Sequence, residues 1–335
     1  MRRYGRLVAA AIALAVGLVP TSGSAQDIEI LMALPAPTLT FSSAFLAEDA
    51  GFYKKEGLMV THLILVGVAS PNAVIAGSAD FTIGTGPVFL RAAAAGQRML
   101  AIANLIDKPL VELVLRKDVA EAAALNEQAP LAERAKVLKG KTIAIQGVGS
   151  IVHAWERFVA SRAGLDVEKD VRIAPMDPPA MLAALDTKQV DGFATSLPFT
   201  TDPVLKGKAV MLASGSNAAP ELLPFAYGLI YTRSDMCTKA RDKCERVVRA
   251  LAAANKMIAE QPDEALKFLS KRFDKMDQQV LAAAWKTVAA AHARDLRVTV
   301  PALDHSQQVS IEAKLLMGKD TLTSFEGLFT NEFVR

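Results

Sequence analysis

The chain has 335 residues, with 38 basic and 35 acidic side chains, and is long enough for two domains. Three of the basic residues, Arg2, Arg3 and Arg6, lie in the first 25 residues, which contain no acid. The rest of the chain therefore has equal numbers of basic and acidic residues, and this balance argues against a nucleic-acid partner.

The first 25 residues have the pattern of an export signal. A basic start precedes the apolar run LVAAAIALAVGLVP, and Gly23 and Ala25 are small residues suited to a cleavage site. The apolar run is shorter than the ~20 residues that a membrane span needs. We therefore expect residues 1–25 to be a signal peptide and the mature protein to be periplasmic, soluble and secreted through the inner membrane. Because no cysteine lies near the cleavage site, we do not expect a lipoprotein. Arg2 and Arg3 leave the twin-arginine route open beside the general one.

Strands and helices alternate along the first part of the mature chain. IEILMAL predicts a first strand, and FSSAFLAEDAGFYKKEG predicts a single helix that ends at Gly57. LMVTHLILV predicts a second strand, and SPNAVIAG a short helix. A third strand at 79–83 breaks at Gly84-Thr85-Gly86-Pro87, before the helix VFLRAAAAG. RMLAIANL and VELVLRKD predict two further strands.

After a polar, alanine-rich passage the same order of elements begins again. KTIAIQGVGS predicts a strand and loop, followed by the helix IVHAWERFVASRAG, the strand VRIAPM, the helix PAMLAALDTKQ and the strand VDGFATS. This alternation predicts parallel, doubly wound sheets, and its repetition predicts two similar α/β lobes. From about Cys237 onward, apolar residues at helical spacing predict a mainly helical segment.

The two cysteines, Cys237 and Cys244, are compatible with a disulfide or with two free thiols. An oxidising compartment favours the disulfide. However, seven residues of continuous helix span about 10 Å, more than the ~7 Å between Cα atoms that a disulfide allows. A bridge therefore requires Cys237 to precede the helix, and Thr238 is a candidate N-cap that would leave it there. We expect no metal site, because paired ligand clusters of the kind that zinc requires are missing.

The sequence contains no recognisable catalytic or cofactor motif. Its four histidines, at 62, 153, 292 and 305, are scattered singly, and the phosphate-loop, zinc-protease and serine-hydrolase patterns are absent. We therefore expect no catalytic residue and no cofactor. Several loops of small residues precede helices instead, namely PAPTLTFSS, GTGP, QGVGSIVH and ATSLPF. In a doubly wound sheet such loops lie at the carboxyl ends of the strands, where ligands bind and helix N-termini favour anionic groups.

The stretch FLAEDAGFYKKEGLMV resembles a signature of the nitrate/sulfonate/taurine type of ABC-transporter substrate-binding proteins, a group related to thiamin-precursor binders. AGSADFTIGTG, LKGKTIAIQGVGSIVH and QVDGFATSLPF are similar, in the same order, to three further segments of that family. The resemblance implies a type II-like periplasmic-binding-protein fold, with two doubly wound α/β lobes joined by two crossing strands. It implies that residues 26–112 and 226–335 form lobe 1 and that residues 113–225 form lobe 2. The crossings are expected near ELVLRKD and FAYGLIYTRSD.

The resemblance also implies a ligand site in the cleft between the lobes. Carried over by position, the expected ligand-binding residues are Thr40, Phe41, Ser42, Ser43, Gly84, Thr85, Gly86, Gln146, Gly149, Ser150, His153, Thr195 and Ser196. Two interpretations stay open for Ser150 and His153, which are either ligand contacts or a helix cap and a packed or surface residue. A histidine beside an anion would have its charged form favoured, so that affinity would rise as the pH falls.

The implied function is that of a receptor that captures a small organic anion, such as a sulfonate, an aromatic carboxylate or a similar oxyanion. It would be a monomer without enzymatic activity and would deliver its ligand to ABC permease subunits, although a sensory role stays open. Ser196-Leu197-Pro198 replaces the Trp-Asp-Pro of many relatives, which removes a partner for a ligand amine and argues against taurine. The alternatives are a receptor for a neutral heterocycle such as a thiamin pyrimidine precursor, and a fold-related exported enzyme acting on such a heterocycle.

Overall fold

The computed structural model describes residues 27–334. The expected signal peptide, residues 1–25, lies outside the described residues. No helix between residues 27 and 334 is long and apolar enough to cross a membrane.

Two five-stranded sheets form the centres of two α/β lobes. The strands are β1 (Ile28–Leu34), β2 (Leu58–Ile64), β3 (Phe81–Gly84), β4 (Met99–Asn104), β5 (Val111–Arg116), β6 (Thr142–Ile145), β7 (Arg172–Pro175), β8 (Gly192–Ser196), β9 (Ala209–Ser214) and β10 (Leu229–Arg233). The sheet of lobe 1 has the order β2-β1-β3-β10-β4, and the sheet of lobe 2 has the order β7-β6-β8-β5-β9. Strands β5 and β8 are buried along nearly their whole length, as expected for strands covered on both faces.

Each sheet has four parallel strands and one antiparallel strand. In lobe 1, β10 runs antiparallel to both β3 and β4, and in lobe 2, β5 runs antiparallel to both β8 and β9. The prediction of parallel sheets is therefore wrong for one strand of each lobe. These are the strands by which the chain enters one lobe from the other. A chain that enters from the cleft meets the parallel strands at their carboxyl ends and so runs in the opposite direction.

Helices surround both sheets. They are α1 (Ser42–Asp49), α2 (Phe52–Lys55), α3 (Ala69–Ala76), α4 (Gly86–Ala94), α5 (Lys117–Ala122), α6 (Leu131–Arg134), α7 (Ile151–Arg162), α8 (Val167–Asp170), α9 (Pro178–Asp186), α10 (Thr201–Leu205), α11 (Gly215–Ala218), α12 (Met236–Lys239), α13 (Arg241–Glu260), α14 (Pro262–Arg272), α15 (Gln278–Ala291) and α16 (Val300–Glu312). Short 3₁₀ turns occur at Leu39–Phe41, Ala135–Leu138, Pro220–Leu222 and Gly318–Asp320. The helical C-terminal segment is confirmed. The single helix predicted up to Gly57 is wrong, because Gly51 adopts a positive φ of 74° and separates α1 from α2.

Two segments carry the chain between the lobes, one after β4 and one before β10. They are hydrogen-bonded to each other: the Leu105 amide donates to the Gly228 carbonyl over 2.8 Å, and the Phe225 amide donates to the Asp107 carbonyl over 2.8 Å. We propose that the lobes divide at these segments. The boundaries expected from the sequence, after residues 112 and 225, remain predictions; the first of them falls within β5.

Cys237 and Cys244 form a disulfide with 5.6 Å between their Cα atoms. Cys237 lies in the short helix α12, which ends before Ala240, a residue with φ −138° and ψ 58°. This break shortens the path between the cysteines below that of a continuous helix. The expectation that Thr238 would cap the long helix is wrong, because Thr238 lies within α12 and the new helix begins after Ala240.

The disulfide joins two residues that are seven positions apart in the sequence, and neither cysteine lines the cavity described below. Replacing both with alanine should lower the free energy of unfolding by about 2–3 kcal/mol, because the unfolded chain regains the freedom that the closed loop removes. Urea denaturation of the variant and of the wild type, with and without reductant, measures this difference. Equal midpoints for the oxidised and reduced wild type would contradict the prediction.

Candidate functional site

A small cavity lies between the lobes, at the carboxyl ends of the parallel strands. Its volume is about 60 Å³, which is room for a few water molecules or for a ligand group of similar size. Lobe 1 contributes Pro35, Ala36, Thr38, Thr40, Phe41, Gly67, Pro71, Gly84, Thr85, Val88 and Tyr231, lobe 2 contributes Gln146, Ser150, Ile151, Val152 and Ser196, and the second crossing segment contributes Tyr227.

The strand ends explain why these residues meet. Pro35 directly follows β1, Thr85 follows β3, Gln146 follows β6, and Ser196 is the last residue of β8. Because the parallel strands of each sheet end at the same edge, the loops after them converge on that edge. The two edges face each other across the cleft, so both lobes supply walls of one cavity.

The structure brings part of the sequence-predicted site to this cavity. Thr40, Phe41, Gly84, Thr85, Gln146, Ser150 and Ser196 line it. Ser42, Ser43, Gly86, Gly149, His153 and Thr195 do not. The predicted ligand-facing turn 84–86 therefore contributes its first two residues.

Three of the residues outside the cavity have structural contacts that account for them. Ser42 Oγ donates to the Leu39 carbonyl over 2.5 Å, and Ser43 Oγ donates to Asn255 Oδ1 over 2.5 Å. Gly86 lies against α16, where an added Cβ would be 2.5 Å from Ser306 Oγ. Gly86 is thus required for close packing of α4 against α16.

Gly84 allows an aromatic side chain to reach the cavity wall. A Cβ at this position would lie 2.5 Å from the Tyr231 hydroxyl and 2.8 Å from its ring. Burial raises the pKa of Tyr231 well above its usual range, so the hydroxyl keeps its proton and can donate a hydrogen bond. Glycine is therefore required at the end of β3 because a larger residue would clash with Tyr231, a reason that the sequence pattern alone did not show.

Several hydroxyl groups at the cavity have no hydrogen-bond partner within residues 27–334. They are Thr38 Oγ1, Thr40 Oγ1, Thr85 Oγ1 and the Tyr231 hydroxyl, all of them buried. Buried polar groups are nearly always paired, and an unpaired one costs about 1–3 kcal/mol. All four belong to residues that line one cavity, so a molecule in that cavity would find hydroxyl groups free to pair with it. Thr195 Oγ1, buried one residue before Ser196, is unpaired as well.

Besides these hydroxyls, the cavity has backbone N–H donors at the N-termini of two helices. Ser150 caps α7, and the amides of the next two residues, Ile151 and Val152, donate to no carbonyl in the described part of the chain. Thr85 occupies the N-cap of α4, and its side chain makes no capping bond there. The positive end of each helix dipole therefore faces a cavity whose lining includes no charged side chain.

Two arginines that do not line the cavity make hydrogen bonds between the lobes. Arg91 Nη1 donates to the Gly149 carbonyl over 2.7 Å, and Arg157 Nη1 donates to the Ala313 carbonyl over 3.1 Å. Burial, together with the nearby charge of Arg157, lowers the pKa of Arg91. An arginine remains protonated under ordinary conditions, so both side chains place a positive charge at the contact between the lobes.

His153 does not have the environment expected of a residue beside an anion. It is 1% exposed, the Gly149 amide donates to its Nδ1 over 3.0 Å, and Arg157 Nε donates to its Nε2 over 3.2 Å. Donors therefore face both ring nitrogens, an arrangement that disfavours the doubly protonated ring. Burial and the charge of Arg157 lower its pKa, and Glu168 opposes this only in part. The expected rise of affinity at low pH is therefore not supported by this geometry.

Ser150 combines the two roles that the sequence left open. Its Oγ accepts from the His153 amide at 3.4 Å and donates to the Gly147 carbonyl over 2.7 Å, which makes it a helix cap. It also lines the cavity. Its hydroxyl is already engaged, so Ser150 offers a ligand less donor capacity than the unpaired threonines do.

Some cavity residues were not identified from the sequence. Thr38 stands in the loop PAPTLTFSS but was not singled out, whereas Tyr227 and Tyr231 belong to the return segment FAYGLIYTRSD. Two tyrosines in a segment expected to cross the cleft are a signal that could have found them. Val88, Ile151 and Val152 have no comparable signal, because apolar residues in the first turn of a helix are usual in any α/β fold.

Residues 39–265 match the family model described as NMT1/THI5 like. The chain belongs to the NMT1/THI5-like family. A protein of Brucella abortus (strain 2308) that is named only provisionally, as a binding protein, is 23% identical over 272 residues, which cover 80% of this chain and 78% of that protein.

Two solved structures with the same fold are described as anion-binding proteins. The alkanesulfonate-binding protein SsuA from Xanthomonas axonopodis pv. citri, bound to MOPS, has a TM-score of 0.70 at 19% identity, covering 92% of this chain and 100% of that chain. The periplasmic nitrate-binding protein NrtA from Synechocystis PCC 6803 has a TM-score of 0.60 at 17% identity, covering 75% and 68%. These likenesses confirm the two-lobed periplasmic-binding-protein fold and the predicted resemblance.

The neutral state of His153 leads to a pH prediction. In the unfolded chain a histidine binds a proton near pH ~6.5, whereas the native site resists protonation because its pKa is lowered. The stabilising contribution of His153 is therefore complete above that pH and is lost as the pH falls. His153→Asn, whose amide oxygen can accept from Gly149, should lose less stability than the wild type between about pH 7 and 5.

Urea denaturation at the two pH values tests this prediction. His62 and His292 also have pKa values lowered by burial, but both remain in the variant, so the difference between the two proteins isolates His153. Equal pH dependence in both proteins would show that His153 titrates in the native state much as it does in the unfolded chain.

Proposed function

We propose that the protein is a periplasmic solute receptor that captures a small organic anion between its lobes and delivers it to an ABC permease. The observation that carries this proposal is the cluster of unpaired donors at the cavity. Thr38, Thr40 and Thr85 line the cavity, and their buried hydroxyls have no partner within residues 27–334. Free amides at the start of α7 add donors, and helix dipoles favour an anion over a cation.

The apolar part of the lining favours an organic anion over a bare inorganic one. Phe41, Val88 and Val152 present hydrocarbon surface to the same small space. A ligand that combines an oxyanion group with a short apolar or aromatic part would bury that surface. Sulfonates and carboxylates have this composition, and the relation to sulfonate-binding neighbours agrees with it.

A ligand with an ammonium group is disfavoured. No carboxylate is among the lining residues. The buried Glu112 accepts hydrogen bonds from Thr200 over 2.5 Å and from Ser214 over 3.1 Å instead, and burial raises its pKa. Without an acidic partner a buried ammonium would remain uncompensated, which supports the expectation that taurine is not the ligand.

A neutral heterocycle is the second candidate ligand, and one observation favours it. The lining includes the aromatic side chains of Phe41, Tyr227 and Tyr231 but no formal charge, and hydroxyls accept as well as donate hydrogen bonds. A thiamin pyrimidine precursor could use both properties. The helix N-termini favour the anion over the heterocycle, since they offer hydrogen-bond donors alone.

The proposed cellular role follows from the export signal and the family. We propose that residues 1–25 direct export, that the mature chain works as a monomer in the periplasm, and that it binds without transforming its ligand. None of the lining residues is a histidine, lysine or acid, so the serine and threonine hydroxyls of the lining have no adjacent general base there to activate them.

Thermal-shift screening of the mature protein tests this function. Methanesulfonate, benzoate, nitrate, taurine and the thiamin pyrimidine form the panel, followed by calorimetry and recovery of the bound compound. We expect a raised melting temperature with the organic anions, by preferential binding to the native state, and none with taurine. A shift with the pyrimidine alone would support the second candidate, and recovery of a changed compound would support an enzyme.

Thr85→Val gives a sharper prediction, because it should change affinity and stability in different directions. The valine removes a hydroxyl that has no partner in the described chain, so the unliganded protein should be equally stable or more stable. Binding of the anion should weaken by about 1–3 kcal/mol, since the ligand loses a donor. Calorimetry and urea denaturation measure the two effects.

Thr82→Val is the matched control for Thr85→Val. Thr82 lies on β3 outside the cavity lining, and its Oγ1 is 2.7 Å from Ser70 Oγ in a buried pair. This control should lose about 1–2 kcal/mol of stability and keep its affinity. If Thr85→Val also lost stability and kept its affinity, Thr85 would not bind the ligand.

A further inference from the structure

We propose that Arg91 and Arg157 form an interlobe clasp that holds the lobes closed over the cavity and thereby positions the loop before α7 for the ligand. Each arginine donates a hydrogen bond across the cleft, and the two do so in opposite directions. The role in ligand binding rests on the proposed function; the role in closure does not.

Arg91 reaches from lobe 1 to lobe 2. It lies on α4, the helix whose N-cap Thr85 lines the cavity, and its Nη1 donates to the Gly149 carbonyl over 2.7 Å. Gly149 has a φ of 81°, and an added Cβ would be 3.4 Å from the Arg91 guanidinium. The contact thus fixes a turn of lobe 2, whose positive φ suits glycine, directly against a helix of lobe 1.

The turn held by Arg91 leads directly into the binding wall of lobe 2. Gly149 precedes Ser150, and Ser150 and Ile151 both line the cavity. The amide of Gly149 donates to His153 Nδ1, which ties the turn to α7. A displacement of Gly149 would therefore move the free amides at the start of α7 away from a ligand, although Arg91 itself does not line the cavity.

Arg157 reaches from lobe 2 back to lobe 1. It lies on α7, and its Nη1 donates to the Ala313 carbonyl at the end of α16 over 3.1 Å. Nη2 of the same guanidinium donates to Glu168 Oε1, which holds the side chain in this direction. Arg91 and Arg157 therefore join the lobes on the same side of the cavity.

Two partly exposed ion pairs also join the lobes near these arginines. Arg162 Nε is 3.2 Å from Glu312 Oε2, and Lys314 Nζ is 3.5 Å from Asp166 Oδ2. Each pair joins a residue of lobe 2 to a residue at the end of α16 or just after it. Such partly exposed pairs contribute little individually, whereas the inner arginine contacts are to carbonyl groups in less exposed surroundings. Opening of the lobes on this side has to break all four contacts.

The chain offers a matched control for Arg91. Arg233 also donates from Nη1 to a carbonyl over 3.0 Å, but its acceptor is Val74 in the same lobe. Arg233→Ala removes a contact of the same chemistry that does not cross the cleft. Arg91→Lys is a second variant, since lysine keeps the charge but cannot reproduce the planar guanidinium.

The experiment compares closure and affinity in these variants of the mature protein. Cysteines introduced at Met59 and Leu205, which are 53% and 54% exposed and lie in lobes 1 and 2, carry a fluorophore pair. The natural cysteines are bonded to each other, so the introduced thiols react alone. Energy transfer then reports the distance between the lobes without a ligand, and calorimetry with methanesulfonate reports affinity.

Arg91→Ala and Arg157→Ala should each lengthen the interlobe distance in the unliganded protein and weaken methanesulfonate binding roughly ten- to hundredfold. Arg91→Lys should give a smaller change in both readouts, and Arg233→Ala should lower the melting temperature while changing neither. An unchanged distance in Arg91→Ala and Arg157→Ala would overturn the clasp. If the wild type bound no anion of the panel, the proposed function would fail, and the distance comparison would still decide whether the clasp exists.

Discussion

The hydrogen bonds between the two crossing segments are the constraint on which the rest of the structure depends. The Leu105 amide donates to Gly228, and the Phe225 amide donates to Asp107, so the two connections form one paired link between the sheets. At Gly228 an added Cβ would lie 2.9 Å from the Ile106 amide nitrogen, which explains the glycine. This link fixes which edges of the sheets face each other. Only the edges with carboxyl strand ends can then form a common cavity.

In the proposed ligand site, the stability of the fold and the affinity for a ligand make opposite demands on the same residues. Buried threonine hydroxyls that find no partner within the described part of the chain lower the stability of the unliganded protein. An apolar residue of the same shape would be better for folding alone. A ligand that accepts their hydrogen bonds recovers this free energy on binding. The lining also has no formal charge. Without a ligand, the site therefore contains no buried charged side chain that would need a counterion.

The fold was predictable from the sequence because alternation of strands and helices is a local signal that repeats in both lobes. The antiparallel direction of β5 and β10 was not, since it depends on where the chain re-enters each lobe. The predicted loops of small residues include Thr40, Gly84 and Gln146, which line the cavity, and their role in ligand binding stays a prediction. The same reasoning could not separate Ser43 from Thr40, because the partner of Ser43 is Asn255, more than 200 residues away in the chain.

The position of β10 within its sheet has a consequence for the order in which the protein assembles. β10 lies between β3 and β4, so the first sheet cannot be completed until residues 229–233 have been made. The second sheet, by contrast, is formed entirely from residues 111–214 and has all of its strands earlier. A chain that emerges N-terminus first therefore holds β1–β4 incomplete while lobe 2 can already fold. During that interval β3 and β4 have exposed edges that could pair wrongly, and a carrier that keeps the emerging chain unfolded would protect lobe 1 more than lobe 2.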